Sequence, residues 1–255
     1  MEAQTAGIDY SVSVITPAYN CEKFIRQTVD CVANQTVKVK EHIVIDDGSS
    51  DNTLAVLQEL KNQYPHLVVL TQKNSGAAAA RNLGIRHATG KYVAFLDSDD
   101  SWSSEKLEKQ IGFMEQNEIV FSYGDYEEID EDTGAVLHKY HLPSSLTYDQ
   151  LLNGCPIGCL TVAYNQEKLG KRYMPQIRRG QDWALWLAIT KDNIVAKRYD
   201  GCLAQYRIVN SSLSKNKFKK MFDVLEIYRN EQQLSWLSSF WHLSRHALYV
   251  VRKRR

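Results

Sequence analysis

The sequence has little of what marks a secreted, membrane-spanning or nucleic-acid-binding protein. Its five cysteines (Cys21, Cys31, Cys155, Cys159 and Cys202) are odd in number and contain no CxxC pair. Neither a disulfide framework nor a zinc site is therefore expected, and the thiols read as reduced cysteines of a cytoplasmic protein. No apolar run approaches the ~20 residues of a transmembrane helix; Ala247 to Val251 is among the longest. Met1 to Asp9 has no basic start followed by an apolar core, so no secretory signal is expected there. A net charge of +1 removes any bulk electrostatic case for nucleic acid. His42, His87, His138, His141, His242 and His246 show no metal-ligand spacing, and each is read as structural. No GxGxxG follows the first expected strand, which argues against hydride transfer. Internal repeats and low-complexity linkers are also missing. What remains is a chain of 255 residues, 44% hydrophobic, with a real core. That length suits one large domain, or one domain with a small appendage.

The first half alternates strand and helix patterns. Ser11 to Thr16 is short and β-branched, and Pro17 is expected to stop it. Helical sequence follows from Lys23 to about Gln35. A second strand, Glu41 to Ile45, ends in Asp46-Asp47-Gly48-Ser49-Ser50, and Asp51 is the expected N-cap of a helix over 52–63. Leu67 to Leu70 is a third strand. Gly76 to Ala80 opens a helix to about Ala88, and Tyr92 to Leu96 is a fourth strand. Repeated βα units of this length predict an α/β fold, a Rossmann-like and mostly parallel sheet with helices on both faces. Ligands of such sheets bind beyond the carboxyl ends of the strands. Three of these ends carry polar residues suited to a ligand: Thr16-Pro17-Ala18-Tyr19, Asp46-Asp47-Gly48-Ser49 and Asp97-Ser98-Asp99. Their agreement points to a nucleotide site.

The segment Phe95-Leu96-Asp97-Ser98-Asp99-Asp100-Ser101-Trp102 is the most informative. It crowds three carboxylates into four positions directly after a buried strand. Carboxylates this close raise one another's pKa unless a cation or donated hydrogen bonds hold them ionised. Oxygen-only ligands favour hard cations such as Mg²⁺ or Mn²⁺, which can in turn hold a diphosphate. The plainer reading is an acidic turn before a helix capped by Ser103 or Ser104.

The second half reads as a mixed sheet and loops built onto the first. A helix near Glu105 to Gln116 precedes strands at Ile119 to Ser122 and Val136 to Tyr140, with Asp132-Thr133-Gly134 as the turn. Tyr148 to Leu152 is a short helix, and Asp182 to Lys191 a better one. In the tail, Lys215, Lys217, Lys219 and Lys220 precede a helical region. From Leu234 onward, Leu237, Phe240, Trp241, Ala247, Leu248 and Val251 recur at helical spacing. His242, Arg245 and Arg252-Lys253-Arg254-Arg255 supply positive charge. Such a helix suits a membrane interface with anionic lipids; it equally suits a helix packed on the domain with a solvated basic end.

Six separated motifs together resemble one known family, the inverting GT-A-fold glycosyltransferases of family 2, of the kind that build bacterial O-antigen or capsular polysaccharide. They are Ser13-Val14-Ile15-Thr16-Pro17-Ala18-Tyr19-Asn20, Val44 to Asp51, Asn74 to Asn82, Phe95 to Asp100, Gly180-Gln181-Asp182-Trp183, and Tyr206-Arg207 followed by Ser212-Leu213-Ser214. The resemblance covers about Ser11 to Ser214. It implies a GT-A domain over 1–215, with a nucleotide-sugar half at about 10–105 and an acceptor half at about 106–215, then a basic amphipathic tail over 216–255.

The resemblance also implies roles. Thr16, Pro17, Ala18 and Tyr19 would cradle the nucleobase and ribose. Asp47 would accept from the uracil ring, so UDP is the expected nucleotide. Arg81, Ser98 and Asp97 would contact the nucleotide, and Arg207 would help the diphosphate leave. Asp99, with Asp97, would hold Mn²⁺ or Mg²⁺; which of them touches the ion directly stays open. Asp182 matches the catalytic base, which a sugar hydroxyl of very high pKa requires. Gln181 stands where many members carry an acid, concentrating that role on Asp182. Asp100, Trp102, Gln181 and Trp183 are candidate sugar contacts, the two tryptophans equally candidates for the core. The expected partners are a UDP-sugar donor, a polyprenyl-diphosphate-linked saccharide acceptor and the inner face of the cytoplasmic membrane. The expected reaction forms a β-glycoside. A nucleotidyltransferase is disfavoured because Thr16 to Asn20 is not a glycine-rich basic loop. A non-catalytic sugar-nucleotide binder would have lost Asp99 or Asp182, and both are present.

Overall fold

The computed structural model describes residues 10–208 and 217–253. Its first half is a series of βα units: β1 Val12–Ala18, α1 Ile25–Ala33, β2 Glu41–Asp46, α2 Thr53–Gln63, β3 Leu67–Thr71, α3 Ala77–His87 and β4 Tyr92–Phe95. These strands lie parallel in the order β3-β2-β1-β4. Alternation along β2 places Ile43 and Ile45 in the main core and Val44 in a second cluster with Ile25, Val29, Leu57 and Leu60. Both faces of the sheet are thus covered, α1 and α2 on one side and α3 on the other. The apolar stripe of α1, Ile25, Thr28, Val29 and Val32, has the i, i+3, i+4, i+7 spacing that this packing needs.

The remaining elements extend the same sheet: β5 Ser101–Trp102, α4 Lys106–Gln116, β6 Phe121–Asp130, β7 Val136–Tyr140, β8 Ser145–Leu146, α5 Tyr148–Leu152, β9 Ala163–Asn165, α6 Gln166–Leu169, α7 Gln181–Thr190 and β10 Ala196–Ile208. Among the described residues the sheet has ten strands. It continues from β4 through β9, β6 and β10 to β5, with β7 on β6 and β8 on β10. Strand β9 runs antiparallel to both β4 and β6 and joins the two halves. Trp186 of α7 is fully buried against Phe95 and Phe121, at centroid distances of 6.0 and 5.3 Å. The halves therefore share one core.

The chain ends in α8 Lys217–Glu226, a π-helical turn Ile227–Glu231 and α9 Trp236–Lys253. Val224, Ile227 and Tyr228 belong to the main core. One side of α9 packs on the domain: His246 stacks on Trp183 at 5.1 Å, and Tyr249 lies against Gly154, where a Cβ would meet its ring at 2.4 Å. The other side exposes Leu237, Phe240, Trp241, Leu248 and Val251. The boundary near residue 215, Ser212 to Ser214, Lys215, Arg254, Arg255 and Met1 to Asp9 lie outside the described residues.

Several local expectations are corrected. Pro17 does not stop β1: it pairs with Ile45 of β2, and its nitrogen faces the side where β4 has already ended at Phe95, so no ladder bond is lost. Asp51 sits one residue before the cap position, yet its carboxylate accepts from the Thr53 N–H at 3.0 Å. Neither Ser103 nor Ser104 caps α4, whose first residue follows Glu105. The strand expected at Ile119 to Ser122 runs instead from Phe121 to Asp130, through four acidic residues that its neighbours' pairing accommodates.

At Gly84 of α3 a Cβ would lie 2.6 Å from Ile15 Cγ2 and 2.9 Å from Ile45 Cδ1. Overpacking of this kind costs about 1–3 kcal/mol, against roughly 1 kcal/mol that a helix gains from glycine to alanine. Gly84→Ala is expected to lower the urea midpoint of unfolding; a raised midpoint would show that the helix can shift away from the sheet.

Candidate active site

A cleft of about 420 Å³ opens at the carboxyl ends of β1, β2 and β4. Pro17, Ala18 and Tyr19 form one wall, Asn74, Gly76 and Ala77 the opposite wall, and Arg81, Asp97, Ser98 and Asp99 the floor and rim. Tyr19 is half exposed, so its ring face is available for stacking. The first turn of α3 faces the cleft, and small residues there bring the helix N-terminus close to any bound anion. Asp47 is buried at the back. It accepts from Gln72 Nε2 at 2.7 Å and from the N–H groups of Ser75 and Gly76, each at 2.8 Å. Asp47 therefore builds the loop that starts α3. One of its ~four lone-pair sites remains for a ligand.

The acidic loop is held on two sides. Thr28 Oγ1 of α1 donates to the Ser98 carbonyl at 2.8 Å. On the other side β10 pairs with β5, and the Arg207 N–H donates to Asp100 Oδ1 at 3.0 Å. Inside the loop, Asp97 is ion-paired with the buried guanidinium of Arg81. Burial pushes the Asp99 carboxyl up, and the Asp97 charge adds to it. The same two causes act more strongly on Asp100, whose Oδ2 is buried with no hydrogen-bond partner. Oxygen donors pressed together and desolvated in this way fit a hard divalent cation. Among the described residues no group of three or more His, Cys, Asp or Glu side chains is arranged to hold a metal ion by itself. A cation that also binds a diphosphate needs only one or two protein carboxylates.

Asp182 reaches this place from the second half. It stands in the first turn of α7, after Gly180, whose φ of +69° is the left-handed region that suits glycine. Gln181 donates to the Ile177 carbonyl at 2.8 Å and anchors the same turn. The approach is fixed further back, where Asn82 of α3 clamps Met174: its amide donates to the Met174 carbonyl at 2.7 Å and its oxygen accepts from the Met174 N–H at 2.8 Å. Asp182 shares a second cavity, about 260 Å³, with Asp97, Asp100, Tyr126, Cys159 and Tyr206. Because Asp97 lines both cavities, the two are adjacent. Burial raises the Asp182 carboxyl above its ordinary value and Asp97 adds to the rise, while the Trp183 N–H and the Arg81 charge oppose it.

The structure thus gathers Pro17, Ala18, Tyr19, Asp47, Arg81, Asp97, Ser98, Asp99, Asp100 and Asp182, and places five other candidates elsewhere, Gln181 among them, which lines neither cavity and is spent on the Ile177 carbonyl. Thr16 is fully buried, its hydroxyl 2.9 Å from His42 Nε2, so it supports the strand and not a ligand. That histidine is held neutral, its pKa pushed down to about 3 by burial. Arg207 lines neither cavity. It donates to the Asp99 carbonyl at 2.9 Å and to Gln27 Oε1 at 2.8 Å, bracing the acidic loop from outside. Its strand neighbour Tyr206 points the opposite way, into the second cavity. Trp102 is buried with its indole N–H on the Leu160 carbonyl at 2.7 Å. Trp183 is buried with its own on the Leu151 carbonyl at 2.9 Å. Both tryptophans are core residues. Tyr126, Cys159 and Tyr206 were not singled out by sequence; only Tyr206 sat within a motif.

Comparison with known proteins decides the family. Residues 13–173 match the model described as glycosyl transferase family 2. The chain belongs to that family. TuaG of Bacillus subtilis (strain 168), named for teichuronic acid biosynthesis, is 43% identical over 95% of this chain and 97% of its own length. WfgD of Escherichia coli, named a UDP-Glc:alpha-D-GlcNAc-diphosphoundecaprenol beta-1,3-glucosyltransferase, is 41% identical over 85% of this chain and 86% of its own. Among solved structures, S. aureus TarS 1-349 with UDP superposes with a TM-score of 0.69 at 22% identity, covering 93% of this chain and 70% of that one. The mannosyltransferase PcManGT from Pyrobaculum calidifontis, with GDP-Man and Mn²⁺, gives 0.66 at 18%, covering 94% and 74%. These two show the fold, which is GT-A. As a family 2 member the protein is a glycosyltransferase, and the nucleotidyltransferase and non-catalytic readings fall away.

Proposed function

We propose that the protein transfers a hexose from a UDP-sugar to a hydroxyl of a polyprenyl-diphosphate-linked saccharide with inversion, giving a β-glycosidic bond. The observation that carries this reading is the pair of adjoining cavities, with Asp97 on their shared wall and Asp182 facing the second. The nucleotide would occupy the first cavity, its base on Tyr19 and against the remaining lone pair of Asp47, its diphosphate before the N-terminus of α3. A divalent cation, Mn²⁺ or Mg²⁺, held by Asp99 with Asp97 beside it, would neutralise the charge that develops on the departing diphosphate. Arg81 pairs with Asp97 and holds it in place. The acceptor hydroxyl would enter the second cavity and give its proton to Asp182 as its oxygen bonds the anomeric carbon. The bond from that carbon to the diphosphate breaks on the opposite side, and UDP leaves. The names of WfgD and of WfaP, a second Escherichia coli relative at 37% identity, make UDP-glucose and a GlcNAc-diphosphate-lipid the first donor and acceptor to test.

No helix among the described residues is long and apolar enough to cross a membrane. The exposed face of α9, with Leu237 86% exposed, supports a helix lying in the interface of the cytoplasmic leaflet. Arg245 and the basic residues after Val251 would meet anionic headgroups there.

Transfer from UDP-glucose to a GlcNAc-diphosphate-lipid, abolished by EDTA, is the direct test. Asp182→Asn is expected to lower kcat at least about a thousandfold while leaving UDP affinity intact. Since the base works only when ionised and its pKa lies above the ordinary 3.8, kcat/KM of the wild type should fall on an acid limb displaced upward from that value. Loss of UDP binding in the variant would make Asp182 structural instead. Asp99→Ala should erase the difference in UDP affinity that calorimetry finds with and without Mn²⁺; a persisting difference would move the cation elsewhere. Leu237→Glu should weaken co-sedimentation with anionic vesicles by about tenfold or more, and unchanged binding would place the membrane contact off α9.

A further inference from the structure

A further groove lies outside the two cavities. It has a volume of about 840 Å³ and opens between α9 and the segment 140–156. Leu142, Leu146, Pro156, Trp241, Leu248 and Tyr249 give it apolar walls. Among the described residues no carboxylate lines it. Its one permanent charge is Arg245, whose guanidinium sits 5.7 Å from the centroid of the Trp241 ring. An apolar trough with a single cation at its side is complementary to a long hydrocarbon carrying an anionic head.

Three contacts bring this groove up to the catalytic cavity. Tyr140 lines the groove and stacks at 4.5 Å on Tyr126, which lines the catalytic cavity. Gly154 and Pro156 line the groove, and Gly158, Cys159 and Leu160, a few residues on, line the cavity. Trp183, the neighbour of Asp182, stacks on His246 of α9. At its outer edge the groove runs onto the exposed apolar face of α9, because Trp241 and Leu248 belong to both.

From this continuity we infer that the groove binds the first isoprene units of the acceptor's polyprenyl chain. Arg245 meets the diphosphate, and the saccharide passes the Tyr126–Tyr140 pair to reach Asp182. The inference rests on the lipid-linked acceptor proposed above and assigns that acceptor's lipid a place on the protein. An acyl chain of the bilayer and a second copy of the chain are the competing occupants.

The test uses the full-length protein in detergent with a polyprenyl diphosphate that carries a diazirine near its head and no sugar. After irradiation, labelled peptides are mapped by mass spectrometry. Label within 140–156 and 241–249, competed by unlabelled polyprenyl diphosphate and not by phospholipid, is the expected result. Leu248→Glu, which puts a charge on an exposed groove position, should reduce that labelling by about tenfold or more. Leu237→Glu, on the same helix outside the groove, should leave it at the wild-type level. Label elsewhere, competition by phospholipid, cross-linking between two copies, or equal effects of both substitutions would overturn the assignment. The probe carries no sugar and no transfer is measured. Glycosyl transfer to the lipid-linked saccharide with label outside the groove would sink only the groove; groove labelling without transfer would sink only the catalytic reading.

Discussion

One buried cation, the Arg81 guanidinium, makes the crowding of acids at the centre of this protein tolerable. Asp97, Asp99, Asp100 and Asp182 converge from two halves of the chain, and burial pushes Asp99, Asp100 and Asp182 toward their neutral forms. Arg81 pairs with Asp97 and lowers the Asp182 pKa. Its position is itself a consequence of helix packing. It lies one turn before Gly84, where α3 comes so close to β1 and β2 that a Cβ would clash with Ile15 and Ile45. The tight helix–sheet contact sets the depth of the guanidinium, and the guanidinium pairs with Asp97 and opposes the rise at Asp182 and Asp99. The repulsion left over among Asp97, Asp99 and Asp100 is what would make the loop receptive to the proposed divalent cation and diphosphate.

The two halves divide the work by the kind of structure each can supply. Parallel strands ending together give a rim where several loops meet, and that rim collects the nucleotide-facing residues. The proposed base for the acceptor, Asp182, comes from the second half and meets Asp97 and Asp100 at the second cavity. The second half delivers it by a chain of constraints: the Asn82–Met174 clamp, the left-handed turn at Gly180, and the burial of Trp183 and Trp186 behind α7. Asn82, inside a motif of the nucleotide half, thus positions a residue a hundred places further on. The family model ends at residue 173, short of Asp182, so the proposed base belongs to the part of the chain that the model does not match.

How far the sequence reveals this depends on whether local pattern or tertiary pairing decides a residue. The parallel strands were legible because each is a continuous apolar run ending in polar residues, and so was the cleft beyond those ends, which Asp97 and Asp99 line. Strands β5, β8 and β9 span two, two and three residues. They exist only through their partners, and no periodicity announces them. Strand β10 is irregular, with register shifts between Arg198 and Ala204 that blur its alternation. For Tyr206 and Arg207 composition favours the arginine as the ligand-facing residue, yet alternation turns it outward and the tyrosine in. Thr16 failed for a similar reason: a hydroxyl near a strand end looks available until the imidazole of His42 is seen beside it. The two tryptophans next to acidic residues could not be separated from core residues until their indole N–H groups were found on backbone carbonyls.

The tie between Arg207 and Asp100 has a consequence for how this enzyme tolerates change. The bond to the Asp100 carboxylate comes from the backbone N–H of residue 207, while the side chain grips the Asp99 carbonyl and Gln27. Nineteen of the twenty amino acids carry that N–H. A survey of substitutions at position 207 would therefore register only the loss of the outer brace and would leave the inner one untouched in every variant but proline. Apparent tolerance at this position would say little about how firmly the acidic loop is held, since genetic variation can scarcely reach half of the connection.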